Sequence, residues 1–192
     1  FAEVKVRFEP TEPGTGVEFV DEIVGGRIPR EYIPSVDFAV KTESKKGQIA
    51  GYEVVDFKFT LLDGKFHDVD SSALAFEIAG KACFREAHKM SKPKLLEPMM
   101  KIEVVTEAEF LGDVIGDINR RRGQVSDQGQ KGPQAFVQGF VPLVEMFGYI
   151  NYLRSATRGR GNFTMEFDHY SEVPASMVDK LMEDEKKDNK AA

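Results

Sequence analysis

Residues 100–124 read MKIEVVTEAEFLGDVIGDINRRRGQ and fix the architecture of the second half of the chain. Apolar and polar side chains alternate over 100–104, which predicts a strand with one buried face. Thr106 and Glu109 have the spacing of a capping box, which predicts the start of a helix. This helix carries its apolar side chains on one face, at Leu111, Val114, Ile115 and Ile118. We therefore expect a strand and then a helix that ends near residues 121–123.

The elements after residue 124 complete a ferredoxin-like pattern. Strands are predicted at 124–126, 135–143 and 162–169, with a polar turn over 127–133. A second helix, predicted at 144–156, is expected to bury Met146, Phe147, Ile150 and Leu153. The order βαββαβ predicts two antiparallel helices on one face of a four-stranded antiparallel sheet. The C-terminal ends of these helices should lie at opposite ends of the layer.

The first half of the chain predicts an α/β unit. Strands are predicted at 2–8, 17–24, 52–62 and 94–96, and helices at 30–45 and 72–89. Asp63-Gly64 has the composition of a hairpin turn, and Asp70 is the predicted cap of the second helix. That helix is expected to direct Leu74, Ile78, Ala79, Ala82 and Cys83 toward a core.

The prolines divide the chain into two domains and a tail. Pro98 is expected to end the first unit, so the first domain covers residues 1–97 and the second, α+β domain covers 98–173. Pro174 opens a further helix within 174–192, which ends in a charged tail and is a candidate to pack on the first domain.

Composition narrows the classes of partner. The 192 residues include 32 acidic and 26 basic side chains, a net charge of −6, so the chain as a whole lacks the basic balance of many nucleic-acid-binding domains. The single cysteine and the absence of a long apolar run or a signal peptide predict a cytoplasmic location. The chain begins without methionine inside a strand pattern, as expected of a fragment.

His67 is the candidate functional residue of the first unit. It lies in GKFHDVDSS, a polar segment before a helix, where an imidazole can stack on a base or donate to a phosphate. The alternatives are an ordinary surface histidine, or a hydrolytic or metal site formed with Asp68 or Asp70. No second histidine is near in sequence, which disfavours a metal site.

Two arginine clusters are the candidates of the second unit. One is Arg120, Arg121 and Arg122 at a helix end, and the other is Arg154, Arg158 and Arg160, separated by small residues. Guanidinium groups pair with phosphate in forked geometry, which predicts RNA contact. The alternative for the first cluster is interaction with the helix dipole.

The sequence lacks the phosphate-binding-loop motif of nucleotide-hydrolysing enzymes. A phosphate-binding loop needs two glycines around four residues, followed by Lys and Ser or Thr, and no such string occurs. We therefore predict no catalytic residue, no bound metal and no cofactor for this chain.

Several long strings resemble the elongation factor G family. VGGRIPREYIPSV (24–36) and the segment around HDVDSS (67–72) resemble its fourth domain, and GDVIGDINRRRGQ (112–124) and VPLVEMFGYINYLRSATRGRGNFTMEFDHYSEVP (141–174) resemble its fifth. The resemblance is collinear and covers essentially the whole chain. It implies a fold like domain 2 of ribosomal protein S5, followed by a ferredoxin-like domain.

The resemblance also implies a function. Such factors are translocases of the ribosome, and the fourth domain reaches the decoding centre. Lys65, His67 and Asp68 would then contact tRNA and mRNA, and the two arginine clusters would contact ribosomal RNA. GTP and Mg²⁺ would belong to a GTPase domain outside this sequence, together with other domains of the same chain.

The first alternative is a ribosomal protection protein of the tetracycline-resistance type, a class that shares this domain plan. The second alternative is an unrelated hydrolase that uses His67. The HDVDSS string and the ending EFDHYSEVP favour elongation factor G.

Overall fold

The computed structural model describes residues 1–179 and 182, which form two compact units. The first consists of Phe1–Lys94 with the described residues from Ala175 onward, and the second is Leu95–Pro174. In the sequence the division follows Lys94, a few residues before the expected boundary at 97/98. Residues 175–179 are helical, and most of the remaining predicted helix and the charged tail lie outside the described residues.

The first unit is a three-stranded sheet covered by two helices. Its elements are β1 (Glu3–Pro10), β2 (Val17–Asp21), α1 (Ile33–Glu43), β3 (Phe57–Lys65) and α2 (Ala73–Met90). The strand order is β1-β3-β2, with β1 antiparallel and β2 parallel to β3. The buried core residues are Ile28, Val36, Val40, Phe57, Phe59, Leu61, Phe76 and Phe84. This arrangement confirms the predicted α/β class.

The predicted turn at Asp63-Gly64 is wrong, because β3 continues through both residues to Lys65. A Cβ atom at Gly64 would overlap the carbonyl oxygen of Glu3 and lie 2.5 Å from Ile28 Cδ1. Glycine is therefore required here by close packing between strands and not by a turn. The beginning of the predicted strand, over 52–56, is irregular.

The predicted inner face of α2 is also wrong in part. Leu74 and Ile78 are exposed by 64% and 59%, whereas Phe76 and Phe84 are fully buried. Gly80 lies between those two phenylalanines and lets α1 approach, since a Cβ there would be 3.0 Å from the Ala39 side chain. The larger aromatic side chains therefore take the inner face. The other residues of α2 that are predicted to face the core differ in burial. Cys83 is half-buried against the core, Ala79 is half-buried and Ala82 is exposed.

The second unit has the predicted βαββαβ order. Its elements are β4 (Leu96–Glu107), α3 (Leu111–Arg120), β5 (Gln124–Lys131), β6 (Gln134–Pro142), α4 (Tyr149–Ala156) and β7 (Asn162–Glu172), with 3-10 turns at Ala108–Phe110 and Leu143–Met146. The sheet order is β5-β6-β4-β7, and every pairing is antiparallel. The main buried residues are Met100, Ile102, Val104, Val114, Ile118, Val137, Val141, Met146, Tyr149 and Leu153. The ferredoxin-like prediction is confirmed.

Three local predictions in this unit are wrong. Pro98 does not end the first unit, because β4 of the second unit begins at Leu96, runs through Pro98 and pairs there with β7 alone, where a missing N–H is tolerated. Thr106 caps no helix, since it is buried within β4 and its hydroxyl donates to the Arg160 carbonyl. The polar segment 127–131 belongs to β5 and not to a turn.

The second helix is shorter than predicted. Gly148 has a positive φ of 76° directly before α4, so the 3-10 turn and the helix are separate elements. Met146 and Leu153 are buried as predicted, but Phe147 is 78% exposed and Ile150 is 37% exposed. Tyr149, which is 1% exposed, takes the place in the core that the sequence predicts for Phe147 and Ile150.

Candidate nucleic-acid interface

The topology of the first unit gathers three segments at one end of the sheet. The segment 66–71, here called the tip loop, leaves the end of β3. Because β1 is antiparallel to β3, its first residues lie at this end, where Glu3 pairs with Lys65. Because β2 is parallel to β3, the loop over 22–32 leaves the sheet at the same end. These segments together form the tip surface.

His67 is exposed on the tip loop. Its ring lies edge-on to the Phe1 ring, with the two centroids 4.3 Å apart. Neither Asp68 nor Asp70 forms an ion pair or side-chain hydrogen bond with it among the described residues. The imidazole is therefore presented to solvent with one edge fixed by an aromatic neighbour.

Lys65 and Asp68 occupy different environments on the tip surface. The Lys65 ammonium lies 3.0 Å from a carboxylate oxygen of Glu3 and remains 65% exposed. Asp68 is exposed in a turn. The prediction that Asp70 caps α2 is wrong, because the Ser72 hydroxyl accepts the Ala75 N–H at 3.1 Å.

Arg27 is a tip-surface residue that the sequence reasoning missed. Its guanidinium lies 3.5 Å from Asp63 and remains 60% exposed, beside the buried Ile28. The signal in the sequence was Gly25-Gly26, two residues of positive φ that project this loop. Arg27 and Lys65 of the tip surface are therefore each paired with a carboxylate.

The arginines at the end of α3 mostly bind within their own unit. Arg121 forms a 2.6 Å ion pair with Asp117, donates to the Glu145 carbonyl and lies over the rings of Tyr149 and Tyr152. These contacts hold the 3-10 turn before α4 against the end of α3.

Arg122 adds further contacts to those of Arg121. The two arginines and their partners Asp117, Glu97 and Glu145 are here called the arginine clamp. Its guanidinium donates two 2.8 Å hydrogen bonds to Glu97 and one 3.0 Å bond to Glu145. The hydrogen bonds to Glu97 are the largest cause of a raised Arg122 pKa. Arg120 is different: its side chain is 75% exposed and lies 3.7 Å from Asp117.

The second cluster presents two unpaired cations. Arg154 on α4 and Arg158 just beyond it are exposed, and neither has an ion pair among the described residues. Arg160 lies 2.8 Å from Glu107, and this hydrogen bond raises its pKa. Phe147 is also exposed and lies just before the same helix. The sequence does not indicate this exposed aromatic side chain, because its helical spacing predicts burial.

The two clusters lie at opposite ends of the sheet, as predicted. Arg122 contacts Glu97 at the beginning of β4, whereas Arg160 contacts Glu107 at the end of that strand. The two clusters therefore do not form one continuous surface of this unit.

Comparison with known proteins gives collinear matches over nearly the whole chain. A family described as Elongation factor G, domain IV, matches residues 1–92, and one described as Elongation factor G C-terminus matches residues 94–181. The chain belongs to the elongation factor G family. Its homology is therefore to a translation elongation factor.

Individual relatives agree with this family. The chain is 55% identical to Elongation factor G of Granulibacter bethesdensis and 53% identical to that of Gluconobacter oxydans, in each case over 95% of this chain and 26% of the relative. A crystal structure from Thermus thermophilus matches 96% of this chain and 27% of its own length, with 36% identity and a TM-score of 0.84. The chain thus spans about a quarter of the length of these relatives.

Two further observations concern other classes of function. Within the part of the chain that the structure describes, no helix is long and apolar enough to cross a membrane. The described residues also contain no group of three or more His, Cys, Asp and Glu side chains placed to hold a metal ion.

Proposed function

We propose that this chain is the C-terminal part of a ribosomal translocase that promotes GTP-dependent movement of tRNA and mRNA during elongation. The observation that carries the proposal is the collinear match to elongation factor G over 95% of the chain. The exposed His67 on a loop at one end of the first unit supports it, because that geometry suits contact with a large external partner.

The first unit acts mechanically at the decoding centre. Its rigid sheet and helices occupy space behind the tRNA and oppose its return. His67 stacks on a base or donates to RNA, while Lys65 offers a cation to phosphate and Asp68 accepts from base amino groups or a ribose hydroxyl. The ribosome, with tRNA and mRNA, is therefore the partner of the tip surface.

The second unit anchors the protein on ribosomal RNA. Arg154 and Arg158 are the arginines most available for phosphate, because they are exposed and have no ion pair among the described residues. Arg120 is the next most available, since its side chain is 75% exposed and its ion pair with Asp117 is long at 3.7 Å. Arg160 shares its charge with Glu107, and Arg121 and Arg122 contribute by holding the loop before α4.

Nucleotide chemistry belongs to the rest of the protein. GTP and Mg²⁺ would bind a GTPase domain outside these 192 residues, and this chain supplies no catalytic group to hydrolysis. Such a factor works in the cytoplasm, where the ribosomes are.

The test is His67→Ala in the full-length protein. Translocation should slow by roughly 5- to 150-fold if a stacking or hydrogen-bonding contact of about 1–3 kcal/mol forms only in the transition state. Phosphate release should be unchanged, since the tip surface carries no phosphate chemistry. Rapid mixing can follow both signals in one variant.

His169→Ala is the matched control, because it removes an exposed histidine from β7 in the other unit. It should leave translocation unchanged. Normal translocation by His67→Ala would contradict the proposed role of the tip, and a parallel loss of hydrolysis would indicate defective docking instead.

A further inference from the structure

The Ser71 hydroxyl joins two segments of the tip surface. It accepts the backbone N–H of His67 at 2.9 Å and donates to the carbonyl oxygen of Phe1 at 2.6 Å. The tip loop is thereby tied to Phe1, which lies before the start of β1 at Glu3 and is 70 positions away in sequence. A hydroxyl is suited to this bridge because it donates and accepts at once.

Two other contacts close the same loop. The Ser71 N–H donates to the His67 carbonyl at 3.1 Å, so the ends of the loop bond to each other twice. The Phe1 nitrogen donates to the Asp70 carbonyl. These bonds fix the backbone that carries the imidazole.

The bridge also sets the position of the aromatic neighbour. Phe1 is the residue whose carbonyl accepts the Ser71 hydroxyl, and its ring lies 4.3 Å from the His67 ring at an interplanar angle of 80°. Edge-to-face packing of this kind restricts the orientation of an exposed side chain. One hydroxyl therefore holds both the backbone of His67 and the ring against which the imidazole rests.

The neighbouring serine has a separate task. Ser72 caps α2 through its own hydroxyl, which accepts the Ala75 N–H. Ser71 is thus not needed to start the helix, and both hydrogen bonds of its hydroxyl lie within the tip surface, one to His67 and one to Phe1.

We propose that Ser71 is a positioning residue for His67. It acts through the bridge to Phe1 and holds the imidazole in the orientation that RNA contact requires. This inference rests on the proposed function of the tip surface. It goes beyond it by naming the group that pre-organises His67, a group that touches no RNA itself.

The expected effect of Ser71→Ala follows from lost pre-organisation. The imidazole remains, but its loop must be ordered when the ribosome binds, at a cost comparable to that of immobilising one side chain. Translocation should slow by roughly 2- to 10-fold, less than with His67→Ala. GTP hydrolysis should be unchanged.

The test combines Ser71→Ala with His67→Ala in the full-length protein. If Ser71 acts through His67, the double variant should be as slow as His67→Ala alone, because the bridge then has nothing to position. Ser71→Thr keeps the hydroxyl and should retain most of the rate. Ser91→Ala is the matched control, since it removes a serine hydroxyl that bonds the His88 carbonyl at the other end of α2.

A spectroscopic readout checks the geometry without the ribosome. In Ser71→Ala the NMR signals of the His67 ring protons should move toward those of an unstructured peptide, because the Phe1 ring no longer holds its place. Ser91→Ala should not move them.

The outcomes separate the two claims. If His67→Ala translocates normally, the proposed function of the tip fails. If His67→Ala is slow while Ser71→Ala is normal, or if Ser71→Ala slows the His67→Ala background by its full factor, the positioning role of Ser71 is overturned and the proposed function stands.

Discussion

At the scale of single residues, adjacent arginines with the same chemistry have different tasks. Arg122 is 25% exposed and hydrogen-bonds Glu97 in forked geometry, with the Glu97 side chain only 12% exposed. Its backbone has a positive φ of 60°, which arginine rarely adopts. This conformation belongs to the chain reversal that ends α3, where the Gly123 N–H donates to the Ile118 carbonyl. The forked ion pair with the nearly buried Glu97 is what indicates a structural role for Arg122. Arg154 is exposed on a regular helix and has no such constraint.

The residue-scale prediction compares these two arginines. Arg122→Gln should lower the free energy of unfolding by about 1–3 kcal/mol, because it leaves Glu97 and Glu145 without their charged donor. Arg154→Gln should change it by less than about 0.5 kcal/mol, as expected of an exposed site. Urea unfolding of the chain followed by circular dichroism measures both. Equal stability of the two variants would contradict the assignment of Arg122 as part of the clamp.

At the scale of elements, the sequence predicts periodic segments well and close packing poorly. The βαββαβ order was predicted because alternation and helical spacing are properties of neighbouring residues. The turn at Asp63-Gly64 was wrong because Gly64 is required by Glu3 and Ile28, which are distant in sequence. No local pattern contains that information.

The helix faces show the same limit. The apolar spacing of α2 allows two faces, and Gly80 decides between them only once α1 packs against it. The candidate site was predictable at the level of loops and clusters. Which arginines face solvent depends on Glu97 and Glu145, and the pairing of Ser71 with Phe1 depends on the sheet that brings them together.

The element-scale prediction concerns the outer side of α4. Phosphate contacts release counterions, so each contact contributes to the salt dependence of binding. Arg154→Gln with Arg158→Gln in the full-length protein should weaken ribosome binding and lower the slope of log affinity against log salt by about 1–2. Binding measured over a series of KCl concentrations gives the slope. The matched control is Lys41→Gln with Arg85→Gln, which removes two exposed cations from the helices of the other unit. An unchanged slope in the α4 variant would place RNA contact elsewhere.

At the scale of the whole molecule, the described residues form two separate cores. The ten buried residues of one cluster all belong to the second unit, and the eight of the other all belong to the first. The two sheets share no strand. A core that is complete within one segment is the physical requirement for independent folding.

The boundary between the units has a consequence for fragments of the chain. Pro98 indicated a domain that begins at residue 98, but β4 begins at Leu96. The Leu95 carbonyl accepts the N–H of Val173, which is 2% exposed, at 2.9 Å. Glu97 holds Arg122. The three residues before Pro98 therefore belong to the second unit, because Leu95 bonds the chain after β7 and Glu97 pairs with Arg122 of the arginine clamp.

We predict that a fragment of residues 95–174 folds by itself, with one cooperative transition in urea. A fragment of residues 98–174 should be less stable by about 1–3 kcal/mol, because it leaves Arg122 without its forked partner and the end of β7 unpaired. Arg122→Gln should destabilise the longer fragment much more than the shorter one, since the shorter one lacks Glu97. Circular dichroism and urea titration of the four proteins test this coupling. Equal stability of the two fragments would show that the unit ends at Pro98, and an equal effect of Arg122→Gln in both would show that Glu145 alone holds the arginine.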